Sequence, residues 1–375
     1  MKGVGTFNGQ KPRVLMITAR ADHGGGPEHL YQLSMQLSET HTISIASPND
    51  EPYATRFSSI RSLHKQMRIP HRTISLLSFI RLIRFIHAED IDVIHSHGKG
   101  AGLYCRLLAF CTRRFSVHTF HGLHVGEYRT IKKSIYRLVE QLLWRLSDHV
   151  IAVSEGEATE ILQFLSVSRQ KLTIIPNGVV IPDESPMEEP SSMLKVISVS
   201  RYDVQKNPLA LIEIARGVKA AKANIKIVVI GEGALFEDTQ RVIIEERLSE
   251  VIQLAGATKH PRKEMRKAEV ALSTSRWEGM PLALLEAMSE GLAIVASDVV
   301  GNNDIVTHGK QGYLFPVEDT DQAVQQLIAL AKDRKQLVKL AENARQDARQ
   351  NYSVKTMAVK VEQVYRKLCE QTPSK

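Results

Sequence analysis

The 375 residues predict an α/β protein made of two doubly wound, Rossmann-like parallel-sheet domains that face each other across a cleft. Three observations carry this expectation. Short apolar runs of strand length alternate with helical stretches in both halves of the chain. A Pro-, Glu- and Ser-rich stretch without apolar period, Ile181–Met193, lies between the halves and reads as a linker. A chain of 375 residues, 43% of them hydrophobic, is large enough for two ordinary domains with separate cores.

In chain order, Arg13–Ala19 is the first apolar run and feeds a glycine-rich turn. Thr42–Ala46 follows, then Asp92–Ser96 and Ser116–Phe120, whose ends carry histidines next to glycine. Val150–Val153 leads into Ser154, and Leu172–Ile175 into Pro176-Asn177-Gly178. In the second half Lys195–Val199 precedes a basic loop, Ile225–Ile230 is stopped by Gly231, and Val251–Leu254, Val270–Ser273, Ala293–Ala296 and Gly312–Phe315 complete the set. The predicted organisation is a tail at 1–12, a first domain at 13–185, a second at 186–354 and a terminal helix within 355–375. Ligands in such sheets bind beyond the carboxyl ends of the strands, so the loops there are where chemistry is sought.

Composition narrows the class. No low-complexity tract or internal repeat is present, which excludes solenoids and disordered scaffolds. Cysteine occurs only at 105, 111 and 369, without metal spacing, and no apolar run follows Met1–Lys11, so a reducing cytoplasmic setting is expected. The formal charge of +8 is uneven: residues 1–185 hold 22 Lys/Arg against 16 Asp/Glu and 12 of the 14 histidines. From Pro52 to Ala88 there is no acid, while Arg56, Arg61, Lys65, Arg68, Arg72, Arg81 and Arg84 stand beside Ile74, Leu77, Ile80, Leu82, Ile83 and Ile86. Such a cationic amphipathic segment suits peripheral contact with an anionic membrane face, and a soluble helix packed on a sheet has the same pattern. Arg81 and Arg84 interrupt it too early for a membrane span. Nucleic acid is not expected, because the cations are not interleaved with stacking aromatics.

The most informative stretch is Ser275-Arg276-Trp277-Glu278-Gly279-Met280-Pro281-Leu282, followed by Glu286. It places two acids on either side of a helix start behind a strand. Pro281 fits the first helical turn, and the unpaired N–H groups of Gly279, Met280 and Leu282 would attract phosphate or sugar oxygens. Glu286 lies where a carboxylate can accept vicinal hydroxyls. In the loop after Lys195–Val199, Arg201 and Lys206 can reach one diphosphate, the first as a fork and the second as a point charge. Gly25 and Gly26 let the backbone approach an anion at a helix N-terminus. Zinc is not the leading reading of His95, His97, His118 and His121, whose spacings lack a helical pair and an added acid or thiol. A nicotinamide site is weak too, since Phe236 stands where Gly231-Glu232-Gly233 needs a third glycine. The Asp90/Asp92 and Asp319/Asp321 triplets read as incidental.

The Gly25-Gly26-x-Glu28 turn, His118-Thr119-Phe120-His121-Gly122, Pro176-Asn177-Gly178-Val179, Arg201 with Lys206, Gly231-Glu232-Gly233, and Ser275-x-x-Glu278-Gly279-x-Pro281 with Glu286 together resemble the family 4 retaining glycosyltransferases of GT-B fold. The resemblance runs from about Arg13 to about Tyr352. Asp304 stands where relatives often have glutamate. The resemblance implies two Rossmann-like domains, a C-terminal helix returning to the first, and no required metal or cofactor, the nucleotide-sugar donor being a substrate. It further implies that Arg201 and Lys206 neutralise the leaving diphosphate, Glu286 holds ribose, Glu278 the transferred sugar and Gly25–Gly26 a phosphate. His121 is the candidate polar partner at the reacting sugar, with His118 its rival. The acceptor implied is a polyprenyl-diphosphate-linked saccharide at the inner membrane face, in bacterial surface polysaccharide synthesis. The region from Gly126 to Leu146 is read as apolar loops serving it. A UDP-N-acetylhexosamine 2-epimerase of the same fold, or a non-catalytic sugar-nucleotide sensor, are the alternatives.

Overall fold

A computed structural model describes residues 11–123, 130–183 and 192–370. Most of the predicted tail, His124 and the centre of the predicted linker lie outside the described residues. The chain forms two compact units, one of Met1–Gly178 with Val354–Lys375 and the other of Val179–Ser353. Val179 and its neighbours belong to the second unit because the Val179 N–H donates to the Tyr352 carbonyl at 2.8 Å and Arg349 reaches the carbonyls of Pro182 and Asp183.

The first unit runs β1 (Arg13–Thr18), α1 (Gly25–Leu37), β2 (Thr42–Ser47), α2 (Tyr53–Ser58), β3 (Leu63–Arg68), α3 (Leu76–Ala88), β4 (Val93–His97), α4 (Lys99–Thr112), β5 (Phe115–Thr119), α5 (Thr130–Arg145), β6 (His149–Ala152), α6 (Glu155–Leu165) and β7 (Leu172–Ile174). The seven strands are parallel in the order β3-β2-β1-β4-β5-β6-β7, with Val14 opposite Ile43 and Val93. Strand alternation sends Val14 and Met16 to one face and Leu15 and Ile17 to the other, so each face of the sheet has its own apolar layer. A fully buried ion pair, Arg106 Nη1 to Glu140 Oε2 at 2.9 Å, ties α4 to α5.

The second unit continues with β8 (Leu194–Val199), α7 (Pro208–Ala220), β9 (Ile225–Ile230), α8 (Phe236–Glu245), β10 (Ile252–Gly256), α9 (Pro261–Met265), β11 (Val270–Ser273), α10 (Leu282–Glu290), β12 (Ala293–Ser297), α11 (Asn302–Ile305), β13 (Gly312–Phe315), α12 (Thr320–Lys332) and α13 (Arg334–Asn351). Its six strands are parallel in the order β10-β9-β8-β11-β12-β13. The last helix, α14 (Val354–Glu370), belongs to the first unit, where Met357, Val361 and Tyr365 join the layer of Val14 and Met16. The Tyr365 hydroxyl lies 2.6 Å from His95 Nδ1 inside that layer.

Both units are doubly wound α/β folds, the class the alternating pattern predicts. One strand escapes that pattern. β3, Leu-His-Lys-Gln-Met-Arg, is an edge strand with no fully buried residue, so it carries neither an apolar run nor clean alternation. The region read as apolar loops between Gly126 and Leu146 needs correction, since from Thr130 to Arg145 it is the helix α5, while 126–129 lie outside the described residues. The aspartate triplets have structural work. Asp92 accepts from the Arg13 N–H at 2.8 Å, and Asp319 caps α12 through the Gln322 N–H at 3.0 Å.

Candidate active site

In a doubly wound sheet the loops diverge at the strand pair where the order reverses, and a crevice opens there. In the second unit that pair is β8 and β11. The loop after β8 carries Arg201 and Lys206, and the loop after β11 carries Glu278. These predicted residues come together. Lys206 Nζ pairs with Glu278 Oε1, and the two side chains are only 17% and 7% exposed. Gln205 Nε2 donates to the Trp277 carbonyl at 3.0 Å and reaches Glu278 Oε2 at 3.5 Å. Arg201 Nε donates to Asp203 Oδ2 at 2.9 Å and its Nη2 to Gln205 Oε1 at 3.2 Å. The Arg276 N–H bonds the Gln205 carbonyl at 2.8 Å, and the Thr274 hydroxyl bonds the Lys206 carbonyl at 2.9 Å, which stitches the two loops together.

A small pocket lies against this crossing and is lined by Ser198, Ser200, Lys206, Thr274, Ser275 and Pro281 among others. Gly279, Met280, Pro281 and Leu282 are buried around the start of α10, and Glu286 is half-buried further along it. The helix begins at Leu282, with Pro281 as its cap, one residue later than the proline's helical preference suggests, because Pro281 has an extended ψ of 113°.

Close backbone approaches and oriented side chains complete the support. Gly231, at a φ of 145°, lies so close to the Ser200 carbonyl that a Cβ there would sit 1.9 Å from its oxygen. Gly301, at 88°, lies against the Gly279 carbonyl and the Glu278 Cβ, where an added Cβ would sit 2.8 and 2.9 Å away. Asp304 accepts from the Gly301 N–H at 2.9 Å and so shapes this same loop. Asp203 and Gln205 orient the cations. Gln205 does so while bonded to the neighbouring loop at Trp277, a contact that linear spacing does not display.

In the first unit the order reverses between β1 and β4. Gly25 and Gly26 open α1 there, with open space beside Gly26. The two candidate histidines separate. His118 is fully buried against α4, its Nδ1 2.9 Å from the Ser96 hydroxyl, and it fills the space beside Gly102. His121 follows the strand, half-buried, with a φ of 59° that is left-handed for a residue bearing a Cβ. The next N–H, of Gly122, is held by the fully buried Glu157 carboxylate, which also accepts from the Val153 N–H at 2.7 Å. His121 Nε2 is 3.2 Å from His97 Nδ1, and the His29 ring packs edge-on to His121 at 4.4 Å between centroids. Burial holds His29 down to about 4, against a hydrogen bond with Asn177 that raises it. Burial, chiefly, also holds His97 and His118 well below the usual histidine range.

Residues 23–181 match the family described as Glycosyltransferase Family 4, and residues 183–347 match Glycosyl transferases group 1. The chain is 26% identical, over 78% of its length and 81% of the relative, to the UDP-Gal:alpha-D-GlcNAc-diphosphoundecaprenol alpha-1,3-galactosyltransferase of Escherichia coli. It is 27% identical to the N-acetylgalactosamine-N,N'-diacetylbacillosaminyl-diphospho-undecaprenol 4-alpha-N-acetylgalactosaminyltransferase of Campylobacter jejuni, over 54% of this chain and 55% of that one. Its fold superposes on the crystal structure of Anabaena HepE in complex with UDP and glucose with a TM-score of 0.82, covering 95% of this chain and all of that one at 17% identity. With the two doubly wound units and the Arg201–Lys206–Glu278 crossing in place, the chain belongs to the family 4 glycosyltransferases of GT-B fold.

Proposed function

We propose that this glycosyltransferase is retaining and metal-independent, and that it moves a hexose or N-acetylhexosamine from a nucleotide sugar, UDP-sugar favoured, to a lipid-linked saccharide in surface polysaccharide synthesis. The observation that carries this reading is the pairing of Lys206 with Glu278, backed by Gln205 and Arg201, at the strand reversal of the second unit. The similar Escherichia coli enzyme is named for UDP-Gal and a diphosphoundecaprenol-linked sugar, and UDP accompanies the similar HepE fold.

In this mechanism Arg201 and Lys206 stabilise the charge that gathers on the diphosphate as the sugar–phosphate bond breaks. The donor draws Lys206 from Glu278, which then accepts from a hydroxyl of the transferred sugar. Glu286 accepts from the ribose hydroxyls, and His121 is the candidate polar partner at the reacting sugar. The acceptor hydroxyl attacks from the face the diphosphate leaves, and a leaving phosphate oxygen takes its proton, so no enzyme nucleophile is needed. Peripheral contact with an anionic inner membrane face brings the acceptor. Ile131, Ile135, Leu138 and Leu142 form one exposed stripe on α5 beside Lys132, Lys133 and Arg137, and Leu76, Leu77 and Ile80 are exposed on α3 near Arg81 and Arg84. Among the described residues no helix is long and apolar enough to cross a membrane.

Radiolabelled UDP-sugars, a polyprenyl-diphosphate-sugar acceptor and a chelator test the reaction. Arg201→Ala and Lys206→Ala are each expected to lower turnover about a hundredfold or more, as loss of one transition-state donor does elsewhere. Near-normal rates in both would remove the diphosphate assignment, and product from UDP-N-acetylhexosamine without acceptor would establish the epimerase instead. Flotation with anionic liposomes is expected to fail for Ile135→Ser/Leu138→Ser, and equal flotation of variant and wild type would reject the α5 contact.

A further inference from the structure

Three imidazoles from three separate elements converge at the strand reversal of the first unit. His29 comes from α1, His97 ends β4, and His121 lies in the loop after β5. One ring nitrogen from each lies within 4.8 Å of the others. His29 and His97 are only 3% and 4% exposed, and His29 Nδ1 and His97 Nε2 are buried with no hydrogen-bond partner. Buried polar atoms are nearly always paired, so an unpaired nitrogen on each of two neighbouring buried rings, 5.2 Å apart between centroids, indicates a group that takes a lone pair there. The left-handed backbone at His121, fixed through the Gly122 N–H by Glu157, is the kind of strain that persists where it aims a functional side chain.

We propose that His29, His97 and His121 form a binding site for a divalent transition-metal ion of the zinc type, with its fourth position open. Imidazole nitrogens suit such borderline ions, and the neutral ring is the form that coordinates. Zinc–nitrogen bonds of about 2.0–2.1 Å set three tetrahedral ligands roughly 3.4 Å apart. One nitrogen from each ring lies within 4.8 Å of the others, and small side-chain movements bring the three to that spacing. Positions 29, 97 and 121 form no local motif, so the spacing rules that disfavour zinc in the sequence do not see this cluster. The ion stands apart from the diphosphate chemistry. It occupies the ring of His121, and therefore inhibits sugar transfer. That inhibitory role rests on the proposed function, whereas the binding does not.

The test uses the full chain stripped with a chelator, titrated with Zn²⁺ against a chromogenic zinc indicator. The expected result is one ion per chain, with zinc-edge X-ray absorption of the wild-type complex giving three nitrogen ligands. His121→Gln and His97→Gln are each expected to weaken binding at least tenfold, while Cys111→Ser and His23→Gln leave it unchanged. Tight binding that survives His121→Gln, sulfur ligation, or no stoichiometric binding overturns the site. The absorption measurement on wild type decides even where His97→Gln does not fold. In the transfer assay zinc is expected to inhibit and chelator to restore activity. Zinc held by these rings without loss of transfer overturns the inhibitory role, and absence of transfer before zinc is added, with the rings still binding it, is a failure of the transferase reading alone.

Discussion

Glu278→Gln separates the charge of Glu278 from its shape, and the geometry gives it an unusual signature. Lys206 is paired with Glu278, and both side chains are largely shielded, at 17% and 7% exposure. A diphosphate bound to Lys206 lies across the ammonium from that carboxylate, at a separation of roughly 5 Å, where two like charges repel by about 0.8 kcal/mol at the dielectric of water and about 3 kcal/mol at an effective value of 20. Removing the carboxylate charge therefore tightens UDP, by roughly 3- to 30-fold after part of the gain is lost to screening. The same substitution removes the carboxylate assigned to the transferred sugar, so the gain is expected to shrink for the UDP-sugar, and turnover to fall. Calorimetric titration of wild type and variant with UDP and with the UDP-sugar measures both. Weaker or unchanged UDP binding in Glu278→Gln would refute the idea that diphosphate and Glu278 compete for Lys206.

Glu286→Ala is expected to weaken UDP about 10- to 100-fold, the range of a charge-assisted hydrogen bond, and to abolish discrimination between UDP and its 2′-deoxy form. Equal discrimination in variant and wild type would reject the ribose contact. Glu140→Ala leaves the fully buried Arg106 guanidinium with the Ser147 hydroxyl at 3.0 Å as its remaining partner in the α4–α5 contact. It is expected to cost about 3–5 kcal/mol, roughly 6–20 °C in Tm for a unit of this size, and a urea melt showing under about 1 kcal/mol would contradict this. His149, held to about 4 chiefly by burial, and His41, lowered by the same cause, bind protons more readily unfolded than folded. Their contribution is complete above about pH 6.5 and is lost as the pH falls towards 4, so Tm should begin to drop below about pH 6.5. A flat melting temperature from pH 7 to 5 would be the contrary result.

Where the sequence is legible, the reason is periodicity. β1, β8, β9 and β12 are largely buried parallel strands, and their mostly apolar runs announce them within a residue or so of their ends. β3 carries His64, Lys65 and Gln66 at an exposed edge and leaves no such trace. Arg201, Lys206 and Glu278 were findable because their loops follow strands, and the fold class alone places those loops at a reversal point. What spacing cannot supply is which loop meets which. The Gln205 bridge to Trp277, the approach of Gly301 to Gly279 and the hold of Glu157 on Gly122 each join segments far apart in sequence. The α5 residues read as apolar loop because Ile131, Ile135, Leu138 and Leu142 face away from the core, while the helix is anchored by the buried Glu140.

The most direct test of the central claim is thermal shift with UDP-, GDP-, ADP- and dTDP-sugars, chelator present throughout, on wild type and Lys206→Ala. At a hundredfold excess over Kd a ligand adds about 2.7 kcal/mol of stability, a rise of several degrees. The expected result is selective stabilisation of the wild type by a UDP-sugar, lost in Lys206→Ala. No shift with any sugar nucleotide, or the same shift in both proteins, would contradict a nucleotide-sugar site at Lys206 and Glu278.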